Sequence, residues 1–171
     1  MDKVLLNKVI TLSREITNLA PKEWLPPAEG TFSSSEMIIY RPLTKNTRGY
    51  IEKIANQING CYEKGWYDAC AVMIRRFIET LIIETFESKG IESKIKKDDD
   101  YMFLRDMISV TLAETSFNLS RNTKKALPRL KDIGDKSAHS RYFNALRQDI
   151  DDIKSDLRMV VQELLYLSKI K

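Results

Sequence analysis

This sequence has few of the residues from which metal centres and disulfide scaffolds are built. Its 171 residues include a single histidine and only two cysteines. Because Cys61 and Cys70 form neither a closely spaced pair nor a zinc-ligand set, we expect reduced thiols, a cytoplasmic protein and no metal site. The sequence also has no glycine-rich phosphate loop and no HExxH motif, so we expect no cofactor.

Long apolar runs are missing as well. A helix that crosses a membrane needs about 18 or more consecutive apolar residues, and no stretch of the chain approaches that length. The apolar run near the N-terminus is interrupted by Asn7 and Lys8. We therefore expect neither a membrane span nor a signal peptide.

The chain has enough apolar residues to build a core. Hydrophobic residues make up 43% and charged residues 30% of the sequence, proportions that are ordinary for a globular protein. The 28 basic and 24 acidic side chains give a net charge of +4. This balance permits contact with nucleic acid, but the two signs alternate along the chain, which is typical of a solvated surface.

Apolar side chains recur at helical spacing through most of the sequence. The pattern predicts an all-α bundle of about five main helices, preceded by an N-terminal helical arm at residues 3–19. Residues 20–45 break the pattern with four prolines, and residues 37–40 are expected to form the one short extended piece. We therefore divide the chain into residues 1–45, an arm with an irregular connection, and residues 46–171, the bundle.

Individual helices have distinct patterns. The segment 66–88 is apolar around most of its circumference, which predicts a central, buried helix. The aspartates at 98–100 are expected to begin the next helix, since carboxylates favour the positive helix end. Ser120 is a candidate cap for a later helix. The last helix, from about Leu146, has apolar residues that alternate in steps of four and three, and this seam, together with the long connection, predicts a homodimer.

The central helix carries three polar residues on one side. Asp68, Arg75 and Glu79 fall within about 40° of each other at 3.6 residues per turn, and Arg75 and Glu79 are also one helical turn apart. One interpretation is a structural ion pair or a partly exposed strip. The other is a polar cleft that faces another helix, with Arg76 beside it.

The only histidine lies in a charged stretch at residues 133–141. Asp135 is four residues before His139, so a helix would place the carboxylate beside the imidazole, where it would raise its basicity. Lys136 and Arg141 supply the positive charge that a phosphate contact requires. His139 is thus either a general base or a structural histidine near a helix end, where positive charge is mildly favoured.

Three segments together resemble a known superfamily. The sequences GCYEKGWYDA (60–69), RRFIE (75–79) and GDKSAH (134–139) are similar, in order and rough spacing, to a HEPN-like helical domain of unknown function. Such domains occur alone or fused to bacterial restriction and phage-defence proteins. The resemblance covers about residues 45–168.

The resemblance implies a compact helical bundle that dimerises. Active HEPN proteins are metal-independent ribonucleases whose motif arginine and histidine meet across the dimer interface. In this sequence Asp135 matches the polar position of the motif and His139 the histidine, but Gly134 stands where the family has arginine. The missing cation is the group that would stabilise the phosphate transition state.

These observations leave three hypotheses for the function. The first is a catalytically degenerate, dimeric HEPN-like module that binds or regulates in a bacterial defence or nucleic-acid-linked system, with RNA, a nucleotide or a protein as partner. The second is a working ribonuclease in which His139 is the base and Arg75, Arg76 or Arg141 replaces the motif arginine. The third is a protein-interaction scaffold without a nucleotide site.

Overall fold

A computed structural model describes residues 37–170, together with a few residues of the N-terminal segment, namely Val4, Lys8, Thr11, Leu12 and Glu15. The chain divides into two units, Met1–Thr31 and Phe32–Lys171. The described residues of the first unit are all helical. The rest of the predicted arm lies outside the described residues.

The second unit is a bundle of helices, as the sequence predicts, and five of its helices are long. The helices are α1 (Arg41–Thr44), α2 (Gly49–Glu63), α3 (Tyr67–Ser88), α4 (Leu104–Ala113), α5 (Arg121–His139) and α6 (Arg147–Ser168). Two 3₁₀ turns, Glu92–Ile95 and Thr115–Phe117, lie on either side of α4. A two-stranded hairpin, β1 (Lys96–Lys97) and β2 (Asp100–Tyr101), connects the first of these turns to α4.

The central position of α3 is confirmed. This helix packs against α2, α5 and α6 and also contacts α4. Ile74, Phe77, Ile78 and Leu81 are completely buried on it. A helix that meets neighbours on nearly every side must be apolar around most of its circumference, which explains its sequence.

The ends of two helices also agree with the sequence. The Oγ of Ser120 accepts a hydrogen bond of 3.2 Å from the backbone N–H of Thr123, so Ser120 caps α5 as predicted. Gly90 follows α3 with a φ of +65°, a conformation in which a side chain is strained. Glycine at that position lets the chain turn away from the helix.

The three aspartates at 98–100 do not begin a helix, and that prediction was wrong. Asp98 and Asp99 form the two-residue turn between β1 and β2, with φ values of +52° and +70°. Aspartate tolerates positive φ better than most residues, and a hairpin loop of two residues favours it at both positions. The next helix starts only at Leu104, so this turn chemistry prevails over the preference of carboxylates for a helix start.

Residues 37–40 do not form the extended pair predicted there, because the only strands within residues 37–170 are β1 and β2. Ile38 and Ile39 are instead fully buried against the bundle. Their backbone N–H groups both donate to Oδ1 of Asn59, at 2.8 and 2.9 Å. Arg158 donates to the carbonyl of Ile38 at 2.8 Å. Because these residues belong to the bundle, the division between the two units lies before them and not at residue 45.

The apolar seam of the last helix is used inside the chain. Leu167 is partly buried and Leu146, just before the helix, is 66% exposed, but the other five members are buried, namely Ile150, Ile153, Leu157, Val160 and Leu164. These side chains complete the core and so offer no surface to a second copy. Among the residues that the structure describes, no helix is long and apolar enough to cross a membrane.

Candidate functional site

Three of the predicted site residues, Arg75, Glu79 and Asp135, lie where α3 and α5 cross. Gly134 on α5 is buried there. A Cβ atom at this position would lie 2.5 Å from the Cβ of Arg75 and 2.9 Å from the backbone oxygen of Ala71. Real Cβ atoms essentially never approach that closely, so this packing of the two helices requires glycine.

Arg75 and Asp135 form an ion pair beside this crossing. The Nε of Arg75 lies 2.6 Å from Oδ1 of Asp135, and the Nζ of Lys131 lies 2.7 Å from Oδ2. About a quarter of the Arg75 side chain and a third of the Asp135 side chain remain exposed. Both carboxylate oxygens therefore have a cationic partner, and one of these partners comes from the central helix.

The two cations determine the protonation of the carboxyl group. Burial by itself would raise the pKa of Asp135. Hydrogen bonds from Lys131 and Arg75 outweigh that effect, so its pKa lies below the ordinary value. Asp135 is consequently an ionised acceptor at neutral pH and not a proton donor.

Glu79 is only a secondary partner of Arg75. Its Oε2 is 3.8 Å from Nη1 of Arg75, near the limit of an ion pair, whereas Asp135 is 2.6 Å from Nε. Asp68, on the same side of α3, accepts a hydrogen bond of 2.9 Å from the backbone N–H of Ala145. The polar strip of the central helix thus connects α3 to α5 and to the loop before α6, which favours the structural interpretation.

The pairing of Asp135 with His139 that the sequence suggested is absent. His139 is the exposed last residue of α5, and no hydrogen bond or ion pair joins its side chain to any described residue. Asp135 pairs with Arg75 and Lys131 instead. Within residues 37–170, therefore, no group orients His139 as a base.

The remaining predicted binding residues are separate from one another. Arg76 is exposed on α3, and Lys136 is exposed on α5. Arg141 lies beyond the end of α5, with its guanidinium 5.7 Å from the ring centre of Tyr142. They do not join Arg75 in one cluster.

One feature of α5 is not evident from the sequence read linearly. Placed at 100° per residue, most of its cations fall on one side, within an arc of about 140° that also includes its two aspartates, Asp132 and Asp135. We call this surface the basic face; it consists of Arg121, Lys124, Lys125, Arg129, Lys136 and His139. A helical wheel of residues 121–139 would have found it, because the signal is periodic and does not form a run.

Other chemistry has little support in the described part of the chain. No group of three histidine, cysteine, aspartate or glutamate side chains is placed there to hold a metal ion. Burial raises the pKa of Cys70 to about 12, with a smaller contribution from Cys61, so this thiol is a poor nucleophile. An open groove of about 660 Å³ between Leu43 and the end of α6 includes Tyr166 but none of the predicted site residues.

A buried acidic side chain also lies on α3, away from the crossing of α3 and α5. Glu84 is 4% exposed, and its Oε1 lies 3.0 Å from Nη1 of Arg48. Its Oε2 has no hydrogen-bond partner among the described residues. Burial raises the pKa of this carboxyl group, and Arg48 lowers it in part. Glu84 is about 13 Å from Arg75 along the helix axis, so it belongs to a different contact.

Comparisons of the chain with protein-family models, with curated proteins and with solved structures found no match. The fold and the site together define an all-α bundle whose central helix is joined to a basic helix by a tight glycine contact and an ion pair.

Proposed function

We propose that this chain is a catalytically degenerate, HEPN-like binding or regulatory module of a bacterial defence or nucleic-acid-linked system. The observation that supports this most strongly is the contact at Gly134. The position that matches the motif arginine lies against Arg75 and Ala71, where no side chain fits. An arginine at residue 134 is therefore incompatible with this packing of α3 on α5.

The cation that does lie near this position is already neutralised. The Nε of Arg75 donates to Asp135 at 2.6 Å. To stabilise a phosphate transition state, Arg75 would have to leave that carboxylate, and breaking a partly buried ion pair costs free energy. Preorganised charge is usually the largest single contribution to such catalysis, and general acid–base work by a histidine alone supplies only about 10²–10⁴-fold.

The net charge of α5 supports the part of the proposal that concerns binding. The helix α5 carries six lysines and arginines against two aspartates, a net charge of +4 that equals the net charge of the whole chain. An anionic partner such as RNA or a nucleotide is the class that this distribution favours. The link to bacterial defence comes from the resemblance in residues 60–79 and 134–139.

An RNA cleavage assay tests the loss of catalysis. We expect purified protein, incubated with labelled single-stranded RNA in the presence of a chelator, to cleave no faster than a His139→Ala preparation made in parallel. The parallel preparation controls for contaminating nucleases. Metal-independent cleavage that His139→Ala abolishes would overturn the proposal.

The second candidate function is a metal-independent ribonuclease that uses His139. One observation favours it: Arg75 brings a guanidinium to the place of the missing motif arginine, and His139 lies one helical turn beyond Asp135. If cleavage is found and both Arg75→Ala and His139→Ala abolish it, this candidate replaces the first. A protein that neither cleaves nor binds RNA or nucleotides would instead be the interaction scaffold.

The proposal includes a homodimer, which the resemblance implies. Five seam residues of α6 are buried within the chain, so these side chains do not form the dimer interface. We expect light scattering at tens of micromolar protein to give about twice the chain mass of 19.8 kDa. A monomer mass over that range would remove the dimer from the proposal.

A further inference from the structure

We infer that the basic face of α5 binds the phosphate backbone of a single-stranded nucleic acid. This inference rests on the proposed binding function and assigns it a surface and a ligand class. The two aspartates of α5 lie within the same arc, where Asp135 pairs with Arg75 and Lys131, and Asp132 pairs with Lys131.

The basic face has the length that a backbone contact requires. Its first and last members, Arg121 and His139, are about 27 Å apart along the helix axis at 1.5 Å per residue. Arg121, Lys124 and Lys125 lie at one end, and Lys136 lies toward the other. A strand that follows this helix would meet unpaired cations toward its two ends, with the paired Arg129 and with Asp132 between them.

Most of these cations have no acidic partner. Within residues 37–170, the side chains of Arg121, Lys124, Lys125 and Lys136 form no ion pair or hydrogen bond, whereas Arg129 pairs with Asp156 at 3.0 Å. A solvated helix that serves only solubility usually places acids one turn from its cations, as Asp132 is from Arg129 and Lys136, but no acid of α5 lies within four residues of Arg121, Lys124 or Lys125. Four unpaired cations on one exposed face indicate a surface that is available to an external anion.

The start of α5 is unfavourable for cations. The first turn of this helix contains no acidic residue, although the positive helix end favours acids there. A carboxylate from another helix lies at this positive helix end. Glu163 of α6 accepts hydrogen bonds from the backbone N–H of Ser120 at 2.6 Å and from its Oγ at 2.9 Å. Folding stability therefore gives no reason for Arg121 and Lys124 to be basic, whereas a bound phosphate does.

An exposed aromatic ring follows the last residue of α5 by three positions and favours an unpaired strand over a duplex. Tyr142 is 87% exposed, just beyond the end of α5, with Arg141 against its ring. Proteins that bind single strands combine a cationic track with aromatic rings on which bases stack. In a duplex the bases are already stacked on one another, so Tyr142 would contribute little.

The test compares two charge-matched double variants. Lys124→Gln with Lys125→Gln removes two cations from the basic face, and Lys64→Gln with Lys89→Gln removes two exposed cations elsewhere. Binding of labelled single-stranded RNA is measured by fluorescence anisotropy as a function of salt. With a salt slope of about 0.7 per phosphate contact, we expect the first variant to bind about 25-fold more weakly at 0.1 M salt, and its slope to fall by about 1.4. The control variant should bind like the wild type.

A second pair of variants tests the preference for single strands. We expect Tyr142→Ala to weaken binding to single-stranded RNA about tenfold, and Tyr142→Phe, which keeps the ring, to have little effect. Binding to duplex RNA or duplex DNA should be the same for both. If Tyr142→Ala leaves single-strand binding unchanged, or weakens duplex binding equally, the preference for an unpaired strand is wrong.

The outcomes separate this inference from the proposed function. If the wild type binds no nucleic acid, both fail. If it binds but the two double variants lose affinity equally or not at all, only the assignment to the basic face fails. If it binds through the basic face and also cleaves RNA, the surface is supported and the loss of catalysis is refuted.

Discussion

Replacing Gly134 with alanine is expected to lower the free energy of unfolding by about 1–3 kcal/mol, the usual cost of overpacking a tight interior contact. The added Cβ would lie 2.5 Å from the Cβ of Arg75 and 2.9 Å from the backbone oxygen of Ala71. Neither atom is the end of a flexible side chain, so α3 and α5 must move apart. Urea unfolding of the two proteins measures the loss.

Gly49→Ala is the matched control. A Cβ at Gly49 has no atom within 4 Å, and this residue begins α2 with an ordinary helical backbone. We expect that change to be neutral or to stabilise by up to about 1 kcal/mol. Gly134→Arg, which restores the motif residue, should destabilise more than Gly134→Ala and create no ribonuclease. A stable, active Gly134→Arg protein would contradict this interpretation and identify a disabled nuclease site.

Replacing Asp135 with alanine has the second large expected effect. The change leaves Arg75 and Lys131 without their shared carboxylate. Removing one partner of a fully buried ion pair costs about 3–5 kcal/mol, and the exposed third of Asp135 reduces that, so we expect about 2 kcal/mol in urea unfolding. Asp132→Ala on the same helix is the control, because Asp132 is mostly exposed and its loss should cost at most about 0.5 kcal/mol. Equal effects of the two changes would mean that Asp135 has no special role.

The effect of Asp135 should depend on pH in a defined direction. Its pKa in the folded protein lies below the ordinary value, so the ionised carboxylate contributes stability above the unfolded-state pKa of about 4. That contribution is lost as the pH falls through the lowered folded-state pKa. The difference in unfolding free energy between the wild type and Asp135→Ala should therefore shrink in acid and be constant near neutral pH.

Much of the fold could be predicted because helical periodicity is strong and local. The apolar circumference of α3 predicted its central position, and Ser120 predicted the start of α5. The wrong predictions concern short segments whose residues suit two different local structures. The aspartates at 98–100 suit both a helix start and a two-residue turn, and the pairing of β1 with β2 selects the turn. Likewise, Ile38 and Ile39 are apolar enough to form a strand. In the structure they are buried, and their backbone N–H groups donate to Oδ1 of Asn59.

The candidate site could be predicted less well, for a physical reason. Spacing along the chain shows which side chains share a helix face, so it suggested Arg75 with Glu79 and Asp135 with His139. The closest partner of Arg75 is Asp135, which is 60 residues away and approaches only because Gly134 lets the two helices touch. A contact between helices leaves no trace in the spacing of a single sequence. The basic face, in contrast, is a periodic feature within one helix.

A double-mutant cycle on Arg75 and Asp135 tests most directly whether this ion pair serves packing and not catalysis. Unfolding free energies are measured for the wild type, Arg75→Ala, Asp135→Ala and the double variant, and RNA cleavage is assayed for all four. We expect a coupling energy of about 1–2 kcal/mol, since the pair is close and partly buried, and no cleavage by any of the four. Additive stability effects, together with a wild-type cleavage activity that Arg75→Ala removes, would contradict the claim that this ion pair serves packing.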